Sequence, residues 1–285
     1  MASHCEVRVY AADEAAARYW SDAAIAEVRR IETKYSRYRD DSITTAINHA
    51  AGGAPMGVDT ETASLLDFAT SLYQQSDGAF DLTSGVLRRA WDFKARQVPA
   101  QAALNKLLSR VGWSKVMWQS PLLQLGAKME IDFGGIGKEY AADRAAAVVA
   151  DLGGQHGLIN LGGDVRVIGP HADGEPWRIA VQDPRGVQGV TIAYLKVPHG
   201  AMATSGDYER YFEHNGRRYS HLLDPRTGWP VEHWRSVSVV APLAIAAGAC
   251  ATVAMLQPVD SALAFLDQQG VRYLAIDNHG QRYAK

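Results

Sequence analysis

Cysteine is scarce in this chain: Cys5 and Cys250 are the only two in 285 residues. They stand far apart and fit no CxxC or zinc-ligand spacing, which excludes a disulfide framework and leaves a thiolate metal site without support. Cys250 sits in an alanine-rich run and reads as a small buried hydrophobe. An excess of positive charge is also missing. Lysine and arginine total 29 against 31 aspartates and glutamates, a formal net charge of −2, which argues against a nucleic-acid binder. No uncharged apolar run reaches the ~18 residues of a membrane-spanning helix. Glycine (26) and proline (11) are at ordinary levels, far from a collagen repeat or wholesale disorder. There is no internal repeat, low-complexity tract or linker. Met1 to Val9 lack the apolar segment of a signal peptide, which predicts a cytoplasmic protein whose domain starts at once.

What is present is a chain with length enough for one large domain, expected over residues 1–285. Residues 5–10 alternate as a strand does, and Ala17, Trp20, Ala24, Val28 and Ile31 then recur at helical spacing across 13–35. Further helices are expected at 61–76, 100–111, 139–152, 243–257 and 260–268. Short strands are expected at 116–118, 122–125 and 129–131, and a strand pair flanks Gly162-Gly163. From residue 177 to 241 the chain reads mainly as strands, with His214-Asn215-Gly216 as a hairpin turn, and a last hairpin surrounds Asn278-His279-Gly280. This mixture predicts an α+β fold of largely antiparallel sheets with flanking helices, not a doubly wound sheet.

Polar and glycine residues gather in four segments. In the one around Asp132, a strand end, two glycines and a helix start beside Lys138 follow one another. Free N–H groups at a helix start suit an anion such as phosphate, and a plain strand-to-helix turn explains the glycines equally well. Neither the Walker nor the Rossmann spacing occurs. Gly162-Gly163 allows a close backbone approach, and Asp164 follows it. His221 lies in an alternating strand near Ser220 and Asp224; it reads either as a structural histidine or as a general base or phosphate donor. No HxxxH or HExxH spacing supports a zinc site. Thr204-Ser205-Gly206 lacks the leading glycine of a hydrolase nucleophile elbow.

Taken together the segments are more specific. DGAFDLTSG, DFGGIGKEYAADR, INLGGDVRVIG, ATSGDYERYF and YSHLLDPRTGWPV follow in one order, with YSRYRDDSITTAIN before them and VSVVAPLAIAAGACATVAML after. The chain resembles the ApbE family, the FAD:protein FMN transferases. The resemblance implies FAD as substrate, Mg2+ or another divalent cation on its pyrophosphate, and a protein acceptor whose Ser or Thr hydroxyl receives FMN while AMP leaves. Some members of the family instead hydrolyse FAD. Carried over by residue, it places Met1, Tyr38, Ala79, Phe80, Asp81, Asp132, Lys138 and Leu222 at the flavin nucleotide. It makes the Gly135 carbonyl and Thr252 metal ligands, and His221 the group that activates the acceptor.

Two positions depart from the family pattern. The metal site usually has an aspartate four residues before the threonine, and here that position is Gly248. Loss of a carboxylate should weaken metal binding, unless Asp164, Asp207 or Asp224 substitutes or water fills the shell. Glu139 stands where glycine is usual, a change expected to have no consequence. The reading is therefore a transferase. A flavin-binding relative without catalysis and a metal-dependent FAD pyrophosphatase are its alternatives.

Overall fold

The structure is a computed structural model that describes residues 4–186 and 189–285; Met1 lies outside them. Strand β1 (Cys5–Val9) leads into helix α1 (Glu14–Tyr35), where the Asp13 carboxylate caps the first turn by accepting the Ala16 amide at 2.8 Å. Helix α2 (Ile43–His49), strand β2 (Met56–Gly57), helix α3 (Thr60–Gln75), helix α4 (Gln101–Leu108) and strands β3 (Met117–Gln119) and β4 (Leu122–Gln124) follow. Helix α5 (Gly137–Asp151) precedes strands β5 (Gly157–Leu161), β6 (Asp164–Gly169), β7 (Trp177–Gln182), β8 (Thr191–Val197) and β9 (Gly200–Gly206). The chain closes with β10 (Tyr211–His214), β11 (Arg217–Ser220), β12 (Trp234–Ala241), α6 (Ala244–Met255), α7 (Val259–Gln268), β13 (Arg272–Asp277) and β14 (Arg282–Ala284).

Seven of the strands form one sheet in the order β1-β5-β6-β9-β12-β13-β14. Every neighbouring pair in it is antiparallel, so the chain is α+β. Both faces of this sheet are covered, and the two-residue period of the strands assigns the side chains. Ile159 and Leu161 of β5, Ala201 and Ala203 of β9, and Val237 and Val239 of β12 face the main core with α1, α5 and α6. Leu158, Met202 and Val240 face the opposite way, onto the β7–β8 ribbon with Trp177, Val181 and Val197. Among the described residues no helix is long and apolar enough to cross a membrane.

Three local features depart from the pattern of the sequence. Residues 129–131 are not a strand. The Met129 amide turns back to the Gly126 carbonyl at 3.1 Å, and the Ile131 backbone is bound by the Asn48 side chain, which accepts its amide at 2.7 Å and donates to its carbonyl at 3.0 Å. Asn48 belongs to α2, a short helix that polar residues conceal; Ser42 caps it through the Thr45 amide at 3.0 Å. Leu82–Arg89, unassigned from periodicity, is a tight 3-10 stretch.

Candidate active site

The site is built around the start of α5. Asp132 ends the incoming strand-like segment, and its Oδ1 accepts the Gly134 amide at 2.9 Å, which caps the single 3-10 turn Phe133–Gly135. Its Oδ2 pairs with Arg37. Arg37 also donates to the Tyr38 hydroxyl at 2.7 Å and lies 4.9 Å from that ring's centroid. Tyr38 itself is 78% exposed, an aromatic face free to stack on a ligand. Gly85 is needed behind Asp132, since a Cβ there would fall 2.6 Å from the Asp132 Cβ.

Ala79, Phe80 and Asp81 are all buried. The Phe80 ring underlies the glycine turn, 3.0 Å from where a Gly135 Cβ would be. Asp81 is fully engaged inside the protein. Its Oδ1 accepts the Thr83 amide at 2.7 Å and hydroxyl at 2.6 Å, and its Oδ2 accepts the Trp113 amide at 2.9 Å. It shapes the floor of the site rather than presenting a free carboxylate, and burial pushes its pKa up.

In the first turn of α5, Lys138 Nζ meets Asp164 Oδ2 at 2.5 Å. Asp164 belongs to β6 and also accepts the Thr204 amide at 3.0 Å, so the Lys138 ion pair ties the helix start to the sheet. Burial works against the Lys138 ammonium, yet Asp164 and Glu139 hold its pKa above the ordinary value. Glu139 follows with its side chain only 9% exposed. Burial, reinforced by the charge of Asp164, pushes its carboxyl well above the usual range, with Lys138 opposing. Its Oε2 is buried without any hydrogen-bond partner. An orphaned carboxylate oxygen of this kind needs an account.

The helix facing α5 is α6. The Asp143 carboxylate of α5 caps it, accepting the Ala244 amide at 2.8 Å and the Ile245 amide at 2.9 Å. Going one turn back along α5 and one turn forward along α6 places Glu139 against Gly248. A Cβ at Gly248 would lie 2.5 Å from Glu139 Cγ and 3.0 Å from its Cδ. Thr252 lies one turn further along α6, and α6 contacts the Phe133–Gly135 turn. The Thr252 hydroxyl is 3.1 Å from Ser205 Oγ of β9. Among the described residues no backbone N–H donates to the Gly135 carbonyl.

No three His, Cys, Asp or Glu side chains of the described residues converge as a metal cluster. The Gly135 carbonyl, the Thr252 hydroxyl and the Glu139 carboxyl are nevertheless oxygen donors of the right chemical kind. They fit a hard divalent cation that takes its remaining ligands from water and phosphate.

His221 comes from the chain just beyond β11. Its Nδ1 is 3.3 Å from the Arg210 carbonyl, and with Nδ1–H donated there the Nε2 lone pair is left as a base. Burial, then the charges of Arg210 and Lys138, pull its pKa down to about 4. Leu222, next in line, accepts the Val231 amide at 3.0 Å through its carbonyl and packs on the main core. Arg37 and Glu139 both sit inside the matched segments, but the pairing of Arg37 with Asp132 and the approach of Glu139 to Gly248 are tertiary and carry no signal along the chain.

An α+β fold that sets a lysine, a hydroxyl and carboxylates around a glycine turn at a helix start belongs to a class suited to phosphate esters. The chain is a member of the ApbE family, which it matches over residues 1–275. It is 32% identical over 285 residues to a FAD:protein FMN transferase from Treponema pallidum, covering 92% of this chain and 78% of that one. It is 30% identical over 258 residues to the FAD:protein FMN transferase of Escherichia coli K12, covering 87% and 74%. Among solved structures, the ApbE protein of Thermotoga maritima superposes with a TM-score of 0.91 at 32% identity, covering 99% and 93%. The apo flavinyl transferase ApbE of Pseudomonas stutzeri superposes with 0.87 at 27% identity, covering 100% and 92%.

Proposed function

We propose that this protein transfers FMN from FAD to a Ser or Thr hydroxyl of a target protein, with AMP as the leaving group. The hydroxyl oxygen bonds to the phosphorus that carries riboflavin. The bond from that phosphorus to the bridging oxygen breaks, and AMP departs with the bridging oxygen. His221 Nε2 takes the hydroxyl proton; its depressed pKa leaves that lone pair unprotonated at neutral pH, though it also makes the imidazole a weaker base. Lys138 sits where it can face the phosphates, oriented by Asp164, while exposed Tyr38 supplies a stacking face for the flavin nucleotide. Asp132 holds the glycine turn and Arg37 in place. A divalent cation, when bound, neutralises the charge that builds on the pyrophosphate. Thr252 and the Gly135 carbonyl would be among its ligands.

The observation that carries this reading is the Lys138–Asp164 pair at 2.5 Å, set on the glycine turn and within electrostatic reach of a neutral His221. The direct test is mass spectrometry of the full chain incubated with FAD, Mg2+ and a Ser/Thr acceptor peptide, with EDTA as control. Transfer gives a peptide heavier by FMN, with AMP, only in the presence of metal. FMN and AMP with an unmodified peptide would mean hydrolysis instead. FAD intact in both samples, including with the native acceptor, would refute transfer.

A further inference from the structure

We infer that Glu139 supplies the metal-binding carboxylate of this chain, in the place left open by Gly248, so that the acid sits on α5 instead of α6. The two positions compete for one volume. A side chain starting at Gly248 would place its Cβ 2.5 Å from Glu139 Cγ, 3.0 Å from Cδ and 3.1 Å from Oε1. A side chain at 248 would force Glu139 to shift, and the Glu139 carboxylate lies beside the point where an acid at 248 would begin. Thr252 is one helical turn further along the same face of α6. The longer glutamate stem suits an acid that must reach across from the neighbouring helix.

The helix register behind this contact is fixed by Asp143, which binds the Ala244 and Ile245 amides at 2.8 and 2.9 Å. The other acids that sequence offers as substitutes are already engaged. Asp207 takes a two-point pair from Arg185 at 2.6 Å on each oxygen. Asp224 takes Arg226 at 2.9 Å on each oxygen. Asp164 takes Lys138 at 2.5 Å and the Thr204 amide at 3.0 Å. Glu139 differs from them: its buried Oε2 accepts from no donor, and its carboxyl faces another acid, Asp164, instead of a tight cationic partner. Its side chain is nine-tenths buried, so water does not readily satisfy that oxygen either. A hard cation does.

The inference rests on the transferase reading only for the FAD that shares the cation. Binding of Mn2+, followed by the electron paramagnetic resonance signal of the free ion, is therefore measured on the full chain with and without FAD. Losing an outer partner of a metal ligand typically costs about 10–100-fold in affinity. Glu139→Gln, which keeps the volume and removes the charge, should weaken Mn2+ by at least the upper end of that range, about 100-fold. It should still bind FAD in EDTA. Gly248→Asp alone should not tighten Mn2+ binding. Glu139→Gly combined with Gly248→Asp should restore it to within about tenfold of the parent, again on the scale of ligand-shell effects. Parent-like Mn2+ affinity in Glu139→Gln, tighter binding in Gly248→Asp alone, or no Mn2+ bound by the parent protein even with FAD would overturn the assignment. Glu139-dependent Mn2+ binding in a protein that binds no FAD would support it while removing the transferase reading.

Discussion

Replacing Gly248 by alanine sets two known effects against each other, and the structure decides which wins. In the interior of α6, glycine to alanine should stabilise by about 1 kcal/mol, because alanine loses less backbone entropy and glycine is a poor helix former. The new methyl, however, would fall 2.5 Å from Glu139 Cγ. Carbon atoms in contact settle at about 3.5–4.0 Å, so one of them must move by about 1 Å. Glu139 has little room to do so, since its side chain is 9% exposed and sits between Asp164 and α6. Overpacking of this kind costs about 1–3 kcal/mol. In the parent protein the net change is then destabilising by up to about 2 kcal/mol. In a Glu139→Ala background the clashing atoms are gone, and the same substitution should stabilise by about 1 kcal/mol. The coupling between the two sites is the difference, about 1–3 kcal/mol. Urea titrations of the four proteins of this cycle in EDTA, fitted with a common m-value, read it directly. If Gly248→Ala stabilises equally in both backgrounds, Glu139 does not occupy that space and the placement of the two helices is wrong.

Three further outcomes follow from the same geometry. Asp143→Ala removes the acceptor for the Ala244 and Ile245 amides and should lower stability by about 1–2 kcal/mol in urea titration, with Asp143→Asn recovering part; an unchanged midpoint would mean α6 is capped by other means. His221 has its pKa pulled down to about 4 in the fold against about 6.5 in the unfolded chain. The unfolded chain therefore binds its proton first, and stability attributable to His221 is lost as pH falls from about 6.5 to about 4. His221→Gln should flatten that part of a stability–pH curve, and a curve of the same slope in both proteins would count against a neutral imidazole in the fold. Thr252→Ala should weaken Mn2+ binding while leaving FAD binding in EDTA intact, and Thr252→Ser, which keeps the hydroxyl, should restore it. Equal Mn2+ affinity in all three would remove Thr252 from the donor set.

Much of the fold is legible because it rests on local pattern. The two-residue alternation of β5, β9 and β12 is a consequence of which core each side chain enters. The turn at Asn215-Gly216 has both residues at positive φ, 51° and 74°, as the hairpin signal requires. Legibility ends where side chains replace backbone as partners. Residues 129–131 alternate as a strand does, yet the Ile131 backbone hydrogen bonds go to Asn48, a partner that no periodicity can reveal. Asp81 falls within a segment that marks a ligand site, but its three accepted hydrogen bonds all come from Thr83 and Trp113. The segment identifies the neighbourhood, and only contact distinguishes the residue that builds the floor from one that faces a ligand.

The same limit explains why Glu139 and Gly248 read as two separate departures. Along the chain nothing connects them: one follows a lysine at a helix start, and the other lies in an alanine run. Their relation appears only once α5 and α6 are set in register, and that register depends on Asp143, whose acidity by itself suggests no role. With it in place, a glycine on one helix and a glutamate on the other become complementary, for each is tolerable because of the other. A carboxylate at both positions would collide and repel, and a glycine at both would leave no acid at this contact between the helices. A substitution that looks disabling when taken alone is thus compatible with a complete donor set. Function at such a site is read from which atoms share a volume, and residue identity at one aligned position is not enough to call it lost.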